Sequence, residues 1–337
     1  MNLLITGGAG FIGSNFLTYI TNKYTNYNFV NIDSLTYAGN LDNLKKISGL
    51  SNYHFIQGDI RDRKFLENLF EKYQFNGVIH FAAESHVDNS IEDPSVFVET
   101  NINGTFTLLE VSRKFWMEYN GDFKKGFEGS RFLHISTDEV YGALGIEGYF
   151  KESTPYAPNS PYSASKAAAD MLVRSYYHTF GMNVVTTNCS NNYGPMQHEE
   201  KLIPKIIRKA LAFEQIPIYG SGMNIRDWLY VEDHCRAIEL VFHNGIAGET
   251  YLVGGNNERT NIEIATVICE ILDKKCQAKL SKSKFKSFKE LITFVEDRAG
   301  HDFRYAIDAE KIRRELGWLP NHSFEEGMDI TINYYLK

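Results

Sequence analysis

The sequence predicts an α/β protein: a doubly wound parallel sheet followed by a smaller C-terminal α/β lobe. Three observations carry this. Short apolar runs alternate with stretches whose apolar residues recur every three or four positions. The first run ends in a glycine cluster that opens a helical stretch. After about Cys189 the alternation weakens, and glycine and proline become frequent.

Strands are expected at residues 3–6, 29–33, 53–57, 77–83, 131–136 and 183–188. The intervening segments 11–23, 63–73, 96–119 and 163–180 carry helical spacing. Fully apolar strands separated by helices need a parallel sheet covered on both faces. Residues 1–190 are therefore assigned to the large domain and 191–337 mostly to the smaller lobe. A strand-then-helix pattern at about 226–245 is expected to return to the large domain. Ligands of such a sheet bind beyond the carboxyl ends of its strands.

With 43% hydrophobic and 23% charged residues the chain should fold as a globular protein. A formal net charge of −7 argues against nucleic acid and leaves a small anionic ligand open. Lys282, Lys284, Lys286 and Lys289 alternate with Ser and Phe and are expected to be a solvated face. Cys189, Cys235, Cys269 and Cys276 are scattered without a CxxC pair, so neither a disulfide nor a metal is expected. No secretory leader and no membrane-length apolar run is visible, which points to the cytoplasm.

Gly8, Gly10 and Gly13 form a GxGxxG turn between a strand and a helix, and Gly7, Gly10 and Gly13 read equally as GxxGxxG. In a Rossmann domain such a turn lets the backbone approach a pyrophosphate seated on the helix N-terminus. Asp33 ends the second strand 20 residues past Gly13, where a carboxylate accepts from the adenosine ribose hydroxyls. It would repel a 2′-phosphate, so NAD is favoured over NADP. Asp59, after the third strand, is placed for the adenine amino group; the alternative is a helix cap before Arg61.

Tyr162 and Lys166 stand four apart, on one face of a helix. An ammonium there should favour the phenolate and let Tyr162 take a proton from a sugar hydroxyl. Asp138 and Glu139 follow the fifth strand directly after Thr137. Adjacent carboxylates in a cleft oppose joint ionisation, leaving an acid beside a base. Eliminating water needs that combination. A solvated loop or an N-cap is the alternative for the pair.

Several stretches together resemble the dTDP-glucose 4,6-dehydratases, in the nucleotide-sugar branch of the extended short-chain dehydrogenase/reductases. They include GGAGFIGS from Gly7, LTYAGN from Leu35, AAESHVD from Ala82, STDEVYG from Ser136, NCSNNYGP from Asn188, RDWLYV from Arg226 and DRAGHD from Asp297. The resemblance implies that Tyr162, helped by Lys166 and Thr137, deprotonates the 4-hydroxyl while NAD takes the C4 hydride. Glu139 would then remove the C5 proton, Asp138 protonate the departing C6 hydroxyl, and the same NAD return hydride to C6. It implies cofactor contacts from Gly7, Gly10, Phe11, Ile12, Gly13, Asp33, Leu35, Thr36, Gly39, Asp59, Ile60, Ala82, Ala83, Ser85, Thr100, Tyr162 and Lys166. Substrate contacts are implied at Ser85, Thr137, Asn191, Lys201, Leu202, Pro217, Tyr219, Arg226, Asn261, Arg298 and His301, with buried ion pairs as the alternative for the arginines. The helices over 96–119 and 163–180 carry more apolar surface than one core face needs, which suggests a homodimer through a helical bundle, in line with the family, and the product would feed rhamnose and other deoxysugars.

Asn89 departs from the family's usual Arg, and Met196–Gln197–His198–Glu199 from a more aromatic stretch. These departures leave UDP-glucose, CDP-glucose and UDP-GlcNAc open as substrates. A 4-epimerase or decarboxylase would share the glycines, Asp33, Tyr162 and Lys166 but not the acid pair. A non-catalytic NAD-binding regulator would need only the turn.

Overall fold

The computed structural model describes residues 1–297 and 301–337. The first half runs β1 (Asn2–Thr6), α1 (Phe11–Lys23), β2 (Asn28–Asp33), β3 (Tyr53–Gln57), α2 (Arg63–Tyr73) and β4 (Gly77–His80). Short helices α3 (Val87–Glu92) and α4 (Ser95–Phe97) lead to α5 (Thr105–Trp116), β5 (Arg131–Thr137), α6 (Pro161–Phe180) and β6 (Val184–Cys189). The second half opens with β7 (Asn191–Tyr193), α7 (Leu202–Leu211), β8 (Ile216–Tyr219), β9 (Ile225–Tyr230), α8 (Val231–Asn244) and β10 (Thr250–Val253). It closes with β11 (Glu258–Thr260), α9 (Asn261–Lys275), α10 (Gln277–Leu280), β12 (Ile292–Val295), α11 (Glu310–Leu316) and α12 (Phe324–Tyr335).

Seven strands form the main sheet in the order β10-β6-β5-β4-β1-β2-β3, and all their pairings are parallel. The expected doubly wound sheet is present. Its order reverses between β1 and β4, and an open sheet has its ligand crevice at such a reversal. The smaller lobe holds a three-stranded sheet, β11-β9-β7, and the β12-β8 pair.

The crossing between the lobes is more interleaved than the sequence pattern suggested. Helix α8 packs on α1 and β6, against the large sheet. Strand β9, just before it, pairs instead with β7 and β11. Strand β10, which the pattern left in the smaller lobe, pairs with β6 as an edge of the main sheet. One apolar core runs through both parts, from Leu3, Phe16 and Val185 to Ile238, Ile264 and Met328. About 25 cal/mol per Å² of buried apolar surface makes this shared core the dominant favourable term holding the lobes together.

The helix expected over 96–119 is broken in two ways. Val98–Gly104 is π-helical, and the chain leaves the helix after Trp116. Asn101 lies within the π-helical stretch. Its side chain is buried and accepts from Glu84 N at 2.8 Å, while its amide donates to Glu84 O at 3.0 Å and to Ser165 Oγ at 2.9 Å. Single π turns of this kind concentrate at functional sites.

Candidate active site

A cleft of about 340 Å³ lies along the carboxyl ends of the strands around the reversal. Its first wall is the glycine turn. Gly7 has φ +73, and a Cβ there would stand 2.6 Å from Ala82 N. A Cβ on Gly13 would stand 2.5 Å from Gly7 O. Only hydrogen fits at either position, so strand, turn and helix close tightly and the backbone itself faces the cleft. Asn31 accepts from Gly8 N at 3.1 Å and pins the turn from below. This contact was not legible in the sequence, where Asn31 is one polar residue in an apolar strand.

Asp33 lines the cleft at the end of β2. Its two oxygens accept from Ala9 N at 2.9 Å and Leu35 N at 2.8 Å. Burial pushes its carboxyl above the ordinary value, and those two backbone donors act against the shift. Leu35 is not in the cleft wall; it contributes its N–H, from a backbone with φ 54. Asp59 lines the cleft beside Ile60 and is gripped by Arg61, with Arg61 Nη2 at 2.6 Å. Burial opposes the ionised form, but the Arg61 hydrogen bonds hold Asp59 below the usual carboxylate range. The cap of α2 is Asp62, which accepts from Phe65 N at 3.0 Å, so Asp59 is not a helix cap. Gly10, Phe11, Ile12, Thr36, Gly39, Ala82, Ala83, Ser85 and Thr100 lie in the same wall.

The opposite wall carries the reactive groups. Thr137 ends β5 and caps a 3-10 turn, Asp138–Tyr141, by accepting from Glu139 N at 3.3 Å. Both acidic side chains thus leave the first turn next to the cleft. Asp138 is buried, and its Oδ2 has no hydrogen-bond partner among the described residues. Burial, and then the negative charges of Glu139 and Asp227, push its carboxyl well above the ordinary value. A neutral carboxylic acid with a free oxygen is a proton donor awaiting an acceptor.

Helix α6 begins with a capping box between Ser160 and Ser163 and with Pro161 at its first position. Tyr162 follows at once, so the cap fixes where the phenol enters the cleft. Burial and the charge of Glu139 hold Tyr162 well above its ordinary pKa, and a hydrogen bond with Thr137 opposes them. The expected lowering by Lys166 is therefore not what the chain's own groups achieve. Lys166 donates to Ile135 O at 2.8 Å, and burial lowers its ammonium to about 8.

The residues expected to meet substrate divide into two groups. Ser85, Thr137, Asn191 and Lys201 line the cleft, with Lys201 Nζ donating to Ser85 O at 3.1 Å. Leu202 opens α7 just beyond them. Pro217 and Tyr219 on β8, Arg226 on β9, Asn261 at the start of α9, and His301 do not line the cleft. Tyr219 stands edge-on to His301, their ring centroids 6.4 Å apart, and His301 Nδ1 is 2.6 Å from Asp297. Arg226 is buried, donates to Asp302 O at 2.9 Å and lies over the Tyr305 ring at 4.2 Å. Arg298 lies outside the described residues. Glu84, Gln197, His198 and Glu200 also line the cleft; Gln197 and His198 belong to the stretch that departs from the family, and no role was assigned to Glu84 or Glu200 from sequence.

The fold and this cleft define an enzyme of the extended short-chain dehydrogenase/reductase class. Within it, the chain belongs to the GDP-mannose 4,6 dehydratase family, whose model matches residues 4–331. It is 52% identical over 333 residues to the dTDP-glucose 4,6-dehydratase of Xanthomonas campestris pv. campestris (strain B100), spanning 99% of this chain and 92% of that one. A dTDP-glucose 4,6-dehydratase from Bacillus anthracis, solved in complex with NAD, superimposes with a TM-score of 0.85 at 45% identity, covering 100% of this chain and 96% of that one. One from Streptomyces venezuelae, with NAD and TYD bound, gives a TM-score of 0.88 at 42% identity and covers 100% and 97%.

Proposed function

We propose that this chain converts dTDP-glucose to dTDP-4-keto-6-deoxyglucose and water, as a hydro-lyase that reuses one NAD in every turnover. The observation that carries this reading is the buried Asp138, whose Oδ2 has no hydrogen-bond partner among the described residues, next to Glu139 in the same cleft as Tyr162 and Lys166. A plain dehydrogenase needs no such acid, and a plain lyase needs no dinucleotide wall.

The cleft fits NAD because the glycine turn is a cradle that any Cβ would fill and because Asp33 presents its carboxylate at the end of β2. The turn would hold the pyrophosphate at the start of α1, and Asp33 the adenosine ribose. When bound, NAD supplies the hydride acceptor, later the hydride donor, and a positive ring charge that favours the phenolate. Tyr162, with Thr137 and Lys166, takes the proton of the 4-hydroxyl. The resulting ketone acidifies the neighbouring C5–H, which Glu139 removes. Asp138 gives its proton to the C6 hydroxyl, and water leaves. Glu139 would then return a proton to C5 as C6 regains the hydride first taken from C4.

Asn191, Lys201, Leu202, Pro217, Tyr219, Arg226, Asn261 and His301 are assigned to the nucleoside diphosphate, which suits the charge and planarity of Arg226. The chain is also assigned to a homodimer, supported by exposed Val98, Phe106, Met171 and Tyr177 on and beside α5 and α6. No described helix is long and apolar enough to cross a membrane, and the four cysteines are free. Both suit work in the cytoplasm.

Substrate deuterated at C4 should give product deuterated at C6, while unlabelled substrate in heavy water should gain deuterium at C5. Mass spectrometry and proton NMR read both. Loss of the C4 label to solvent, or stoichiometric release of NADH, would sink the reading.

A further inference from the structure

Behind the catalytic wall lies a buried polar chain that the reaction as described does not use. Thr6 on β1 bonds His80 on β4 at 2.7 Å, and the other nitrogen of His80 meets Thr105 at 2.9 Å. The His80 ring packs on His134 of β5, with centroids 5.4 Å apart. His134 Nε2 is 3.1 Å from Asp170 Oδ1 on α6. The other oxygen, Oδ2, accepts from Tyr156 at 2.9 Å and from Asn188 Nδ2 at 3.0 Å. Asn188 Nδ2 also donates to Thr137 O at 3.0 Å. Asp170 is 4% exposed, too buried for an incidental surface acid.

Two features tie this carboxylate to the chemistry. It lies four residues after Lys166 on the same helix, one turn along, and both side chains are buried. Through Asn188 it grips the carbonyl of Thr137, the residue from which Asp138 and Glu139 depart.

We propose that Asp170 is a positioning residue of the reaction: a buried carboxylate one helical turn from Lys166 that, through Asn188, fixes the strand end bearing the acid pair. The inference rests on the dehydratase reading above.

The groups facing Lys166 from the elements around it are His80 on β4, His134 on β5, Cys189 at the end of β6 and Asp170 on its own helix. Tyr141 and Tyr156 face Asp170. Burial lowers His80, lowers His134 to about 4 and raises Cys189 to about 12, so all three are neutral near pH 7. Asp170 stays ionised despite burial because His134 and Lys166 favour its anion. Among these groups it is the one negative charge that offsets the desolvation of Lys166.

The test is the pH profile of Asp170→Asn with dTDP-glucose, beside the wild type. Removing the anion lets Lys166 lose its proton at lower pH. The alkaline fall of kcat should therefore move down by about one pH unit, roughly a tenfold loss where the wild type begins to decline. Asp170→Glu should restore part of the profile. Tyr156→Phe keeps the carboxylate and should leave the alkaline limb in place.

An Asp170→Asn enzyme with lower kcat but an unmoved limb would overturn the inference, because a structural role alone lowers activity at every pH. So would failure of both Asp170→Asn and Asp170→Ser to fold while Asp170→Glu folds. If the wild type itself does not convert dTDP-glucose, the functional reading falls and this inference with it. Wild-type turnover with an unmoved limb overturns the inference alone.

Discussion

The two parts of the site are built differently. Around β1, β4 and β5 every reactive group leaves a strand end or a capped helix start and is held by buried partners. Asp138, Tyr162 and Lys166 are all nearly inaccessible, and their protonation is set by burial and by one another. Around β8 the recognition residues Pro217 and Tyr219 stand on a two-stranded edge, where Tyr219 is 38% exposed. Proton transfer needs a low-dielectric, fixed environment, since that is where neighbouring charges shift a pKa most. Recognition of a nucleotide needs a surface that can close on it. The difference teaches that chemistry and selectivity here should break separately.

Changes on the buried side should have the largest effects. Tyr162→Phe should cut turnover toward the upper end of the 10²–10⁴ range for a lost acid–base group, with NAD still bound. A variant that keeps more than a tenth of wild-type kcat would mean another base acts at C4. Asp138→Asn should come next, slowing water loss by roughly 10² or more. It should still exchange C5–H with solvent, which rapid-quench NMR resolves. Glu139→Gln should lose that exchange, so equal behaviour of the two variants would misassign acid and base.

Asp138 also makes a stability prediction of definite sign. A carboxyl raised in the fold contributes stability that is complete below its unfolded pKa of about 3.9 and is lost as pH rises through the folded value. Asp138→Asn has no charge to bury. Its melting temperature should therefore exceed the wild type's at neutral pH, by a margin that shrinks toward pH 4. A constant margin from pH 4 to 8 would mean Asp138 is not held protonated by burial.

Effects at the walls should be smaller. Asp33→Ala removes a charged acceptor from two backbone donors, each such bond being worth about 1.5–3 kcal/mol. NAD content after purification should fall, and discrimination against NADP should narrow; titration with either dinucleotide measures both. Tyr219→Ala, on the exposed edge, should raise KM less than about tenfold and leave kcat within a factor of two. A large kcat loss there would erase the contrast between the two sides.

The same contrast explains what the sequence made legible. Gly7, Gly13, Asp33, the Thr137–Glu139 triplet and the Tyr162–Lys166 spacing are local patterns, and each sits next to the cleft. Asn31, Asn101, His134 and Asp170 were missed because each acts across a long sequence separation. A His or Asn inside an apolar strand reads the same whether it is a satisfied core residue or part of a network. The Asp170 pair joins residues 36 positions apart, and the Asn101–Ser165 bond spans 64. The second lobe was harder because its short strands pair out of order, so β9 and β10 fall in different sheets although they are near neighbours in the chain.

The π-helical turn at Val98–Gly104 has a bearing on how this cleft could change by descent. A π turn holds one residue more than the α turn it replaces, and one residue is worth about 100° of rotation around a helix. Losing any single codon in that stretch would let the helix relax to regular geometry. Everything on the N-terminal side would then swing by that angle relative to α5. Thr100 would leave the dinucleotide wall, and Asn101 would let go of Glu84 and Ser165 together. This part of the wall is therefore encoded less by which amino acids stand there than by how many. A deletion that spares every named side chain could still dismantle it, whereas many point changes nearby would pass unnoticed.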